Sequence, residues 1–413
     1  MKKLLTIACA AIAALSLNSC NTADENDAFK TAVAERITKS SEAPAAAGIT
    51  VTKPKFDKVY TVSSVSEAVA KIAELQTTIH NEGGGTEYLN VEFKYTGSEP
   101  LSNDDFYNIY IALDDIHRNE KDSFRAGLDF SSAKFKDEVI NYSGRISYYK
   151  FLKSFVFPEK ISDNLTLAVE WFKGCINLEY VKLPSNLNKL GSEVFKYSAI
   201  KAMALNEGLT AIGSSAFNGD TNLEAIEIPG SVTEIGEYAF QSCTSLKKLV
   251  LKEGLQTIGS YAFNKAFADD VESFEIPNTV TTICYYAFSE SKIKSLKIPS
   301  SVTSLGDEII QNCSKLKSLE LNTNVLHINA YYNVLLSGCT ELTTLVIGEN
   351  VRLINKFTGS ISNFPNLSSV EFKNPKGWKI NGKSVSESDL KDKEKAAQFI
   401  KQYCDKTWTR SDS

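Results

Sequence analysis

The chain has 413 residues, 43% of them hydrophobic, so it can bury more than one ordinary globular core. Its formal net charge is -5 and no block of Lys and Arg stands out, which argues against a nucleic-acid-binding protein. Mild acidity favours solubility and carries little information about the fold.

The first twenty residues, MKKLLTIACAAIAALSLNSC, are organised like a bacterial secretory signal. Lys2 and Lys3 form a positive start, and residues 4–17 are an apolar run too short to span a bilayer. The junction LNSC resembles a lipobox, which implies cleavage before Cys20, acylation of that cysteine and a membrane anchor. The alternative is an ordinary signal peptide cleaved nearby.

These features assign residues 1–19 to the signal peptide and residues 20–55 to a tether. The tether begins with NTADEND, which resembles the acidic export tag of Bacteroides-type surface lipoproteins. Its Ala, Thr, Ser and Glu content is typical of a solvated spacer. We therefore expect a soluble chain held at the cell outer membrane by its lipid.

Residues 56–150 combine helix and strand patterns. Val65 to Ile79 predicts a helix, and YLNVEFKY after it predicts a strand. SNDDFYNIYIALDDI predicts a second helix with Ser102 as its N-cap, and RAGLDF a second strand. The segment is either an irregular α/β cap or the atypical first turns of the repeats that follow, and the sequence leaves both open.

A repeated phrase fills residues 151–374, in units of 22–26 residues. Each unit opens with an apolar anchor, and further apolar residues recur five, nine and twelve positions later. Phenylalanine stands seventeen positions after five of the anchors. The anchors are Leu178, Ile200, Leu223, Leu246, Val271, Ile293, Leu316 and Leu342.

One such unit cannot bury its own apolar side, so the units must stack. We expect an α/β fold: a leucine-rich repeat solenoid with a parallel sheet, one short strand per repeat and a cap at each end. Thirteen positions after the anchors stand glycines such as Gly213, Gly236 and Gly259, with Cys284 in one unit. They predict either a turn with positive φ or close packing of neighbouring turns.

The repeated phrase IPxSVTxIGxxAFxxCxxL resembles the BspA-like leucine-rich repeat, and this resemblance covers residues 152–372. The tail from NPKGWKINGK onward is similar to the C-terminal ends of Bacteroides lipoproteins of that family. The resemblance implies attachment to host or bacterial surface proteins.

Residues 375–413 predict a C-terminal cap. Ala396, Phe399, Ile400 and Tyr403 follow a helical period within residues 387–403, and Ser388 is a plausible N-cap. Such a helix would cover the apolar end of the stack.

Catalytic chemistry has little support. His80, His117 and His327 are far apart and lack a metal-ligand spacing, and the common catalytic and nucleotide-binding motifs do not occur. We therefore expect no enzyme, no cofactor and no metal.

Four cysteines, Cys175, Cys243, Cys313 and Cys339, stand three residues before an anchor. We expect small, half-buried packing residues. A disulfide between Cys313 and Cys339, in neighbouring turns, is left open because stacked side chains point in parallel. Cys284 and Cys404 have no partner visible in the sequence.

The candidate binding surface is the polar strip beside the anchors. It alternates in sign through six turns, which predicts either a self-neutralising ladder or a mixed-charge platform for a partner. Its residues are Glu179, Tyr180, Lys201, Glu224, Lys247, Glu272, Lys294 and Lys317.

A second set of residues, all tyrosines, lies near the Ala-Phe segments. These side chains predict either a contact surface or core packing. They are Tyr197, Tyr238, Tyr261, Tyr285, Tyr286, Tyr331 and Tyr332.

Taken together, the sequence predicts a lipid-anchored, surface-exposed protein whose solenoid is a non-catalytic, protein-binding or adhesive platform. The partner would be a host or bacterial surface protein, or a glycan. The alternative functions are a glycan-binding accessory lipoprotein of an outer-membrane uptake system and a purely structural envelope protein.

Overall fold

The structure is a computed structural model, and it describes residues 49, 51–81, 89–119, 124–135, 147–161, 165–167, 169–323, 327–328, 336–358 and 360–411. The predicted signal peptide, Cys20 and most of the predicted tether lie outside these residues. So do Tyr331, Tyr332 and the side chain of His327.

The first part of the chain alternates strands and helices. Its elements are β1 (Lys58–Val62), α1 (Val65–Asn81), β2 (Leu89–Tyr95), α2 (Asn103–Asn119), β3 (Phe124–Asp129) and β4 (Leu152–Val156). Both predicted helices and both predicted strands are confirmed. Ser102 caps α2 as expected: its hydroxyl accepts the Asp105 N–H at 3.3 Å, and the Asp105 carboxylate accepts the Ser102 N–H at 2.7 Å.

The repeats contribute short strands and little helix. In chain order they are β5 (Leu165–Leu167), β6 (Tyr180–Lys182), β7 (Leu187–Leu190), β8 (Ala202–Ala204), β9 (Ala211–Ile212), β10 (Ala225–Ile228), β11 (Glu234–Ile235), β12 (Lys248–Leu251), β13 (Thr257–Ile258), β14 (Thr282–Ile283), β15 (Ser295–Ile298), β16 (Ser304–Leu305), β17 (Ser318–Leu321), β18 (His327–Ile328), β19 (Thr344–Ile347), β20 (Leu353–Ile354) and β21 (Ser369–Phe372). A 3-10 helix covers Ile361–Asn363.

These strands form two parallel rows along a solenoid of about nine turns. The front row contains β6, β8, β10, β12, β15, β17, β19 and β21, and the back row contains β5, β7, β9, β11, β13, β14, β16, β18 and β20. The front row is divided into separate sheets, with a break between β12 and β15 where residues 271–277 form no strand. The predicted parallel solenoid is confirmed. The back row is an addition that the sequence analysis missed, because most of its strands have only two residues and their apolar residues read simply as core.

The front row begins before the repeats. Strands β1, β2, β3, β4 and β6 pair in that order as one parallel sheet. This pairing supports the reading of residues 56–150 as atypical first turns, in which α1 and α2 replace the usual irregular return. The boundary at residue 150 itself stays a prediction.

The core lies between the two rows. All eight anchors are buried, none more than 6% exposed. The phenylalanines of the repeats stack face to face, with ring centroids 5.1–5.6 Å apart and planes within 21° of parallel. This phenylalanine ladder consists of Phe172, Phe195, Phe217, Phe240, Phe263 and Phe288. Each buried ring stabilises the fold by about 1.5–3 kcal/mol.

The C-terminal end is closed by β22 (Trp378–Ile380), β23 (Lys383–Ser384), α3 (Glu387–Lys391), α4 (Lys393–Gln402) and β24 (Trp408–Arg410). Strand β24 runs antiparallel to β20 and therefore ends the parallel back row. Helix α4 packs against β21, with Ala396 and Ile400 fully buried. The predicted cap is thus a helix pair with a small antiparallel sheet.

The predicted N-cap of this region is wrong. Ser388 lies inside α3, and the helical segment breaks at Asp392. The Asp392 carboxylate accepts the backbone N–H groups of Glu394 at 3.0 Å and Lys395 at 3.1 Å. A carboxylate at this position is also favoured by the helix dipole, which explains why it caps the second helix.

The repeat glycines serve close packing, the second of the two alternatives. A Cβ added at Gly213 would lie 2.6 Å from the carbonyl carbon of Gly191, and one at Gly236 would lie 2.7 Å from Ser214 N. Positive φ occurs elsewhere in the turn, for example 56° at Tyr238 and 61° at Ser242. The positive-φ expectation is therefore wrong: the backbones of neighbouring turns touch where the glycines stand.

The backbone contact between neighbouring turns at the glycines predicts that Gly236→Ala will destabilise the protein by about 2 kcal/mol, because the added methyl group forces two turns apart. Urea unfolding measures the effect. Cys284→Ala is the matched control, since that position of the repeat already carries a Cβ. A Gly236→Ala protein as stable as the wild type would show that neighbouring turns are not in backbone contact.

Candidate functional site

The candidate site lies on the solvent side of the front row. Side chains alternate along each front strand: in β12, β17 and β19 every second residue is buried and the others are half-exposed. The solvent-facing side chains come one, two and four positions after each anchor. We call the surface that they form from β6 to β21 the outer sheet face.

All eight predicted binding residues lie on this face. Backbone hydrogen bonds connect equivalent positions of successive turns: Lys247 N donates to Glu224 O at 2.8 Å, and Glu224 N to Lys201 O at 2.7 Å. Lys317 N likewise donates to Lys294 O at 2.7 Å. From Lys201 to Lys247 and from Lys294 to Lys317 the strip predicted from sequence is therefore a line of neighbouring side chains about 4.8 Å apart. Between these two parts lies Glu272, on residues 271–277, which form no strand.

The charges on this line are only partly neutralised. Lys201 pairs with Glu179 at 3.2 Å, and Lys294 with Glu272 at 2.5 Å. Within the described part of the chain, Glu224, Lys247 and Lys317 form no ion pair. Two links of the predicted self-neutralising ladder are thus present, and the remaining charges are exposed to solvent and to a partner.

A second line of charges, four positions after the anchors, was missed by the sequence analysis. It contains Lys182, Glu227, Glu275, Lys297, Glu320 and Glu371. Glu227 is only 7% exposed because Lys252 crosses it, at 2.6 Å, and also reaches Glu207 at 2.9 Å. Burial alone would lower the pKa of Lys252, but hydrogen bonds to Glu227 and Glu207 outweigh it and raise that pKa.

The N-terminal end of the sheet is covered by the chain itself. Lys53 pairs with Glu92 of β2 and, at 2.9 Å, with Asp129 of β3. The ring of Phe56 lies directly over Gly127, where any side chain would collide with it. Residues 51–57 therefore occupy the face over β2 and β3, and the open face begins near β6. Lys53, assigned above to the tether, is packed on the sheet.

The tyrosines form a stack along another edge of the turns. Tyr238 and Tyr261 lie 4.9 Å apart between ring centroids, and Tyr261 and Tyr286 lie 4.7 Å apart. A hydrogen bond to Glu308 raises the pKa of Tyr286 to about 12. Both faces of the middle ring, Tyr261, are therefore covered by its neighbours. Tyr197 and Tyr285 are 50% and 54% exposed.

The histidines lie apart from the outer sheet face. His80 lies in the last turn of α1, and His117 packs beside Phe124 and Phe151. In the residues that the structure describes, no group of three or more His, Cys, Asp or Glu could hold a metal ion. No helix in the same residues is both long and apolar enough to cross a membrane.

The repeat cysteines are free thiols that are fully buried rather than half-buried, and Cys313 is not bonded to Cys339. Their thiols donate to carbonyls of the preceding turn: Cys243 Sγ to Phe217 O at 3.2 Å and Cys313 Sγ to Phe288 O at 3.1 Å. Burial raises the pKa of Cys313 to about 11, which keeps its thiol protonated. These cysteines satisfy buried backbone carbonyls.

Asp220 occupies the cysteine position of its own turn, and the sequence analysis missed it. It is fully buried, and the Ser198 hydroxyl donates to its carboxyl group at 2.8 Å. Burial raises the pKa of Asp220 to about 8. The carboxyl group is therefore mostly protonated at neutral pH and acts as a neutral packing group.

Residues 145–268 and 264–388 match the family described as BspA type leucine rich repeat region, with six copies of the repeat. Among solved structures, the chain matches a leucine-rich repeat protein from Eubacterium ventriosum at 15% identity, covering 76% of this chain and 77% of that chain with a TM-score of 0.36. It also matches a leucine rich cell surface protein from Faecalibacterium prausnitzii at 14% identity, covering 83% of this chain and 92% of that chain with a TM-score of 0.34. A leucine-rich repeat protein from Bacteroides ovatus matches at 18% identity, covering 54% of this chain and 73% of that chain with a TM-score of 0.34. None of the curated proteins matches the chain. The family match spans the repeats and more than half of the chain.

The buried carboxyl group generates a pH prediction. Between about pH 4, where an aspartate of the unfolded chain titrates, and pH 8, folded Asp220 keeps a proton that the unfolded state has lost. Its contribution to the free energy of unfolding therefore falls as pH rises, by at most about 1.4 kcal/mol per pH unit. Asp220→Asn has no group that titrates there, so it lacks this loss. The free energy of unfolding of the variant minus that of the wild type should therefore increase as pH rises from 5 to about 8.

Urea unfolding at several pH values measures the difference between variant and wild type. Asp270→Asn, at an exposed position, is the control that should show little pH-dependent difference. A flat difference for Asp220→Asn across this range would contradict the assignment of a buried, protonated carboxyl group.

Proposed function

The chain belongs to the BspA-type leucine-rich repeat family, and we propose that it is a lipid-anchored cell-surface protein that binds a protein partner through the outer sheet face. Leucine-rich repeat proteins generally bind protein partners. The observation that carries the proposal is the set of exposed charges at Glu224, Lys247 and Lys317, held on the parallel strands of the front row. Fixed, partly unneutralised charges of both signs are suited to steering and orienting a protein partner.

A protein partner fits this face better than a glycan. Sugar-binding sites rely on exposed aromatic ring faces, and the predicted binding strip contains a single aromatic residue, Tyr180. In the tyrosine stack elsewhere, the middle ring, Tyr261, has both faces covered by its neighbours. The glycan-binding accessory lipoprotein has no comparable observation in its favour.

We propose anchoring through the acylated Cys20 at the outer membrane, with the solenoid exposed to the outside. The signal-like start and the lipobox-like junction support this location. One of the similar solved structures is described as a leucine rich cell surface protein. The role is non-catalytic, in keeping with a repeat fold that is typically non-enzymatic.

The binding surface can be tested on arrays of host matrix proteins, bacterial surface proteins and polysaccharides, probed with the mature chain. We expect signal on proteins. Combining Glu224→Ala, Lys247→Ala and Lys317→Ala should weaken that binding by about tenfold or more, because three fixed charges are lost from the contact.

Lys189→Ala, on the back row, is the matched control and should leave binding unchanged. Signal on polysaccharides alone would contradict a protein-binding platform. If the triple variant binds the protein as tightly as the wild type, the binding site does not lie on the outer sheet face.

The proposed lipid attachment at Cys20 generates its own prediction. Cys20→Ala should abolish incorporation of labelled palmitate and release the chain from the membrane fraction, because the acyl chains hold it there. Protease treatment of intact cells expressing the wild type should remove the solenoid. Cys284→Ala is the control for loss of an unrelated thiol. Full protection from the protease would place the chain inside the envelope instead.

A further inference from the structure

Charge on the outer sheet face is arranged in bands. In four successive turns, two residues at positions of the outer sheet face share a sign, and the sign reverses in the next turn. The bands are Glu224 with Glu227, Lys247 with Lys248, Glu272 with Glu275, and Lys294 with Lys297. The first two bands lie on the directly paired strands β10 and β12, and the last two are joined by the Ser295 N–H, which donates to Glu272 O at 2.9 Å. The third band lies on residues 271–277, which form no strand, so the sheet is interrupted between the second and third bands.

Contacts within the chain neutralise part of this patch. Lys252 neutralises Glu227, Glu272 pairs with Lys294, and Glu320 lies 3.7 Å from Lys297. Among the residues that the structure describes, Glu224, Lys247 and Glu275 take part in no ion pair. One unneutralised charge therefore remains in each of the first three bands.

The order of signs makes the patch complementary to itself. Read along the stack, it is negative, positive, negative, positive. Reversing that order places each negative band opposite a positive band. The unneutralised charges of the second and third bands, Lys247 and Glu275, then face oppositely charged bands, whereas the Glu224 band faces Lys294 and Lys297, which already have partners within the chain. Reversal places the step between the first and second bands opposite the step between the third and fourth bands, and each of these steps joins hydrogen-bonded neighbouring turns.

We propose that a second copy of this chain docks on the patch about a two-fold axis that runs parallel to the strands, between the second and third bands. This inference rests on the proposed use of the outer sheet face for protein binding. Such an axis reverses the order of the turns but preserves position along the strand. Glu224 then meets Lys294 of the second copy, and Lys247 meets its Glu272.

The charges also select this axis over the other one. A two-fold axis along the stack would place every band opposite itself, so that like charges would face each other. About the chosen axis, opposite charges face each other only within the four bands. One turn beyond the bands, Lys201 would face Lys317 of the second copy, so the match ends there.

Sedimentation velocity of the mature, unlipidated chain at several concentrations tests the proposal. We expect a monomer–dimer equilibrium at low salt that shifts toward monomer as salt screens the surface charges. Lys247→Glu should weaken the dimer by about tenfold or more, because it sets a carboxylate against Glu272 of the second copy. Lys317→Glu should strengthen it by relieving the contact with Lys201.

Two further variants separate the interface from general effects. The charge swap Lys247→Glu with Glu272→Lys should restore the wild-type affinity, which a folding defect would not allow. Lys189→Glu, with the same change in net charge on the back row, should leave the dimer unchanged.

A chain that stays monomeric at low salt, or a dimer equally sensitive to Lys189→Glu and Lys247→Glu, would overturn the proposal. A monomer that still binds a foreign protein through this face would overturn the dimer alone and leave the proposed function intact. A dimer that binds no other protein would overturn the proposed function and leave the dimer interface intact.

Discussion

The fold depends on one constraint: each turn buries its apolar side only against the next turn. The phenylalanine ladder shows the consequence, since each ring lies against its neighbours at 5.1–5.6 Å between centroids. The glycines show the same constraint in the backbone, where Gly213 and Gly236 leave no room for a methyl group. Stability is therefore a property of neighbouring pairs of turns rather than of single turns.

The same constraint arranges the surface. In-register pairing, as between β10 and β12, places equivalent residues of successive turns side by side. A charge repeated in the sequence thus becomes a line of charge in space, and a sign that alternates in the sequence becomes a banded face. Binding properties of the outer sheet face follow from the repeat itself, while the segment around Lys53 and Phe56 determines where the open face begins.

Much of the fold could be predicted from the sequence because the repeat encodes it locally. The spacing of anchors and phenylalanines predicted the solenoid, its core and the line from Glu179 to Lys317. Features that depend on distant contacts could not be predicted in this way. Whether β1 to β4 join the repeat sheet depends on strand pairing, and the position of Lys53 over Glu92 and Asp129 depends on how the chain enters the fold.

Local competition explains the remaining differences. Ser388 was the predicted helix cap, but the helical segment breaks at Asp392, and only the backbone shows that the N–H groups to be capped lie there. Glycine fits both positive φ and close contact, so the sequence alone could not distinguish the two. Asp220 was missed because only the structure shows that the position three residues before an anchor is fully buried.

The most direct test of the central claim is a double-mutant cycle on the phenylalanine ladder. Phe217→Ala and Phe240→Ala, in stacked neighbours, should be coupled by about 0.5–1.5 kcal/mol in the free energy of unfolding. Phe195→Ala and Phe263→Ala, with two rings between them, should be additive. Additive effects in the neighbouring pair would contradict a solenoid held together by contacts between turns.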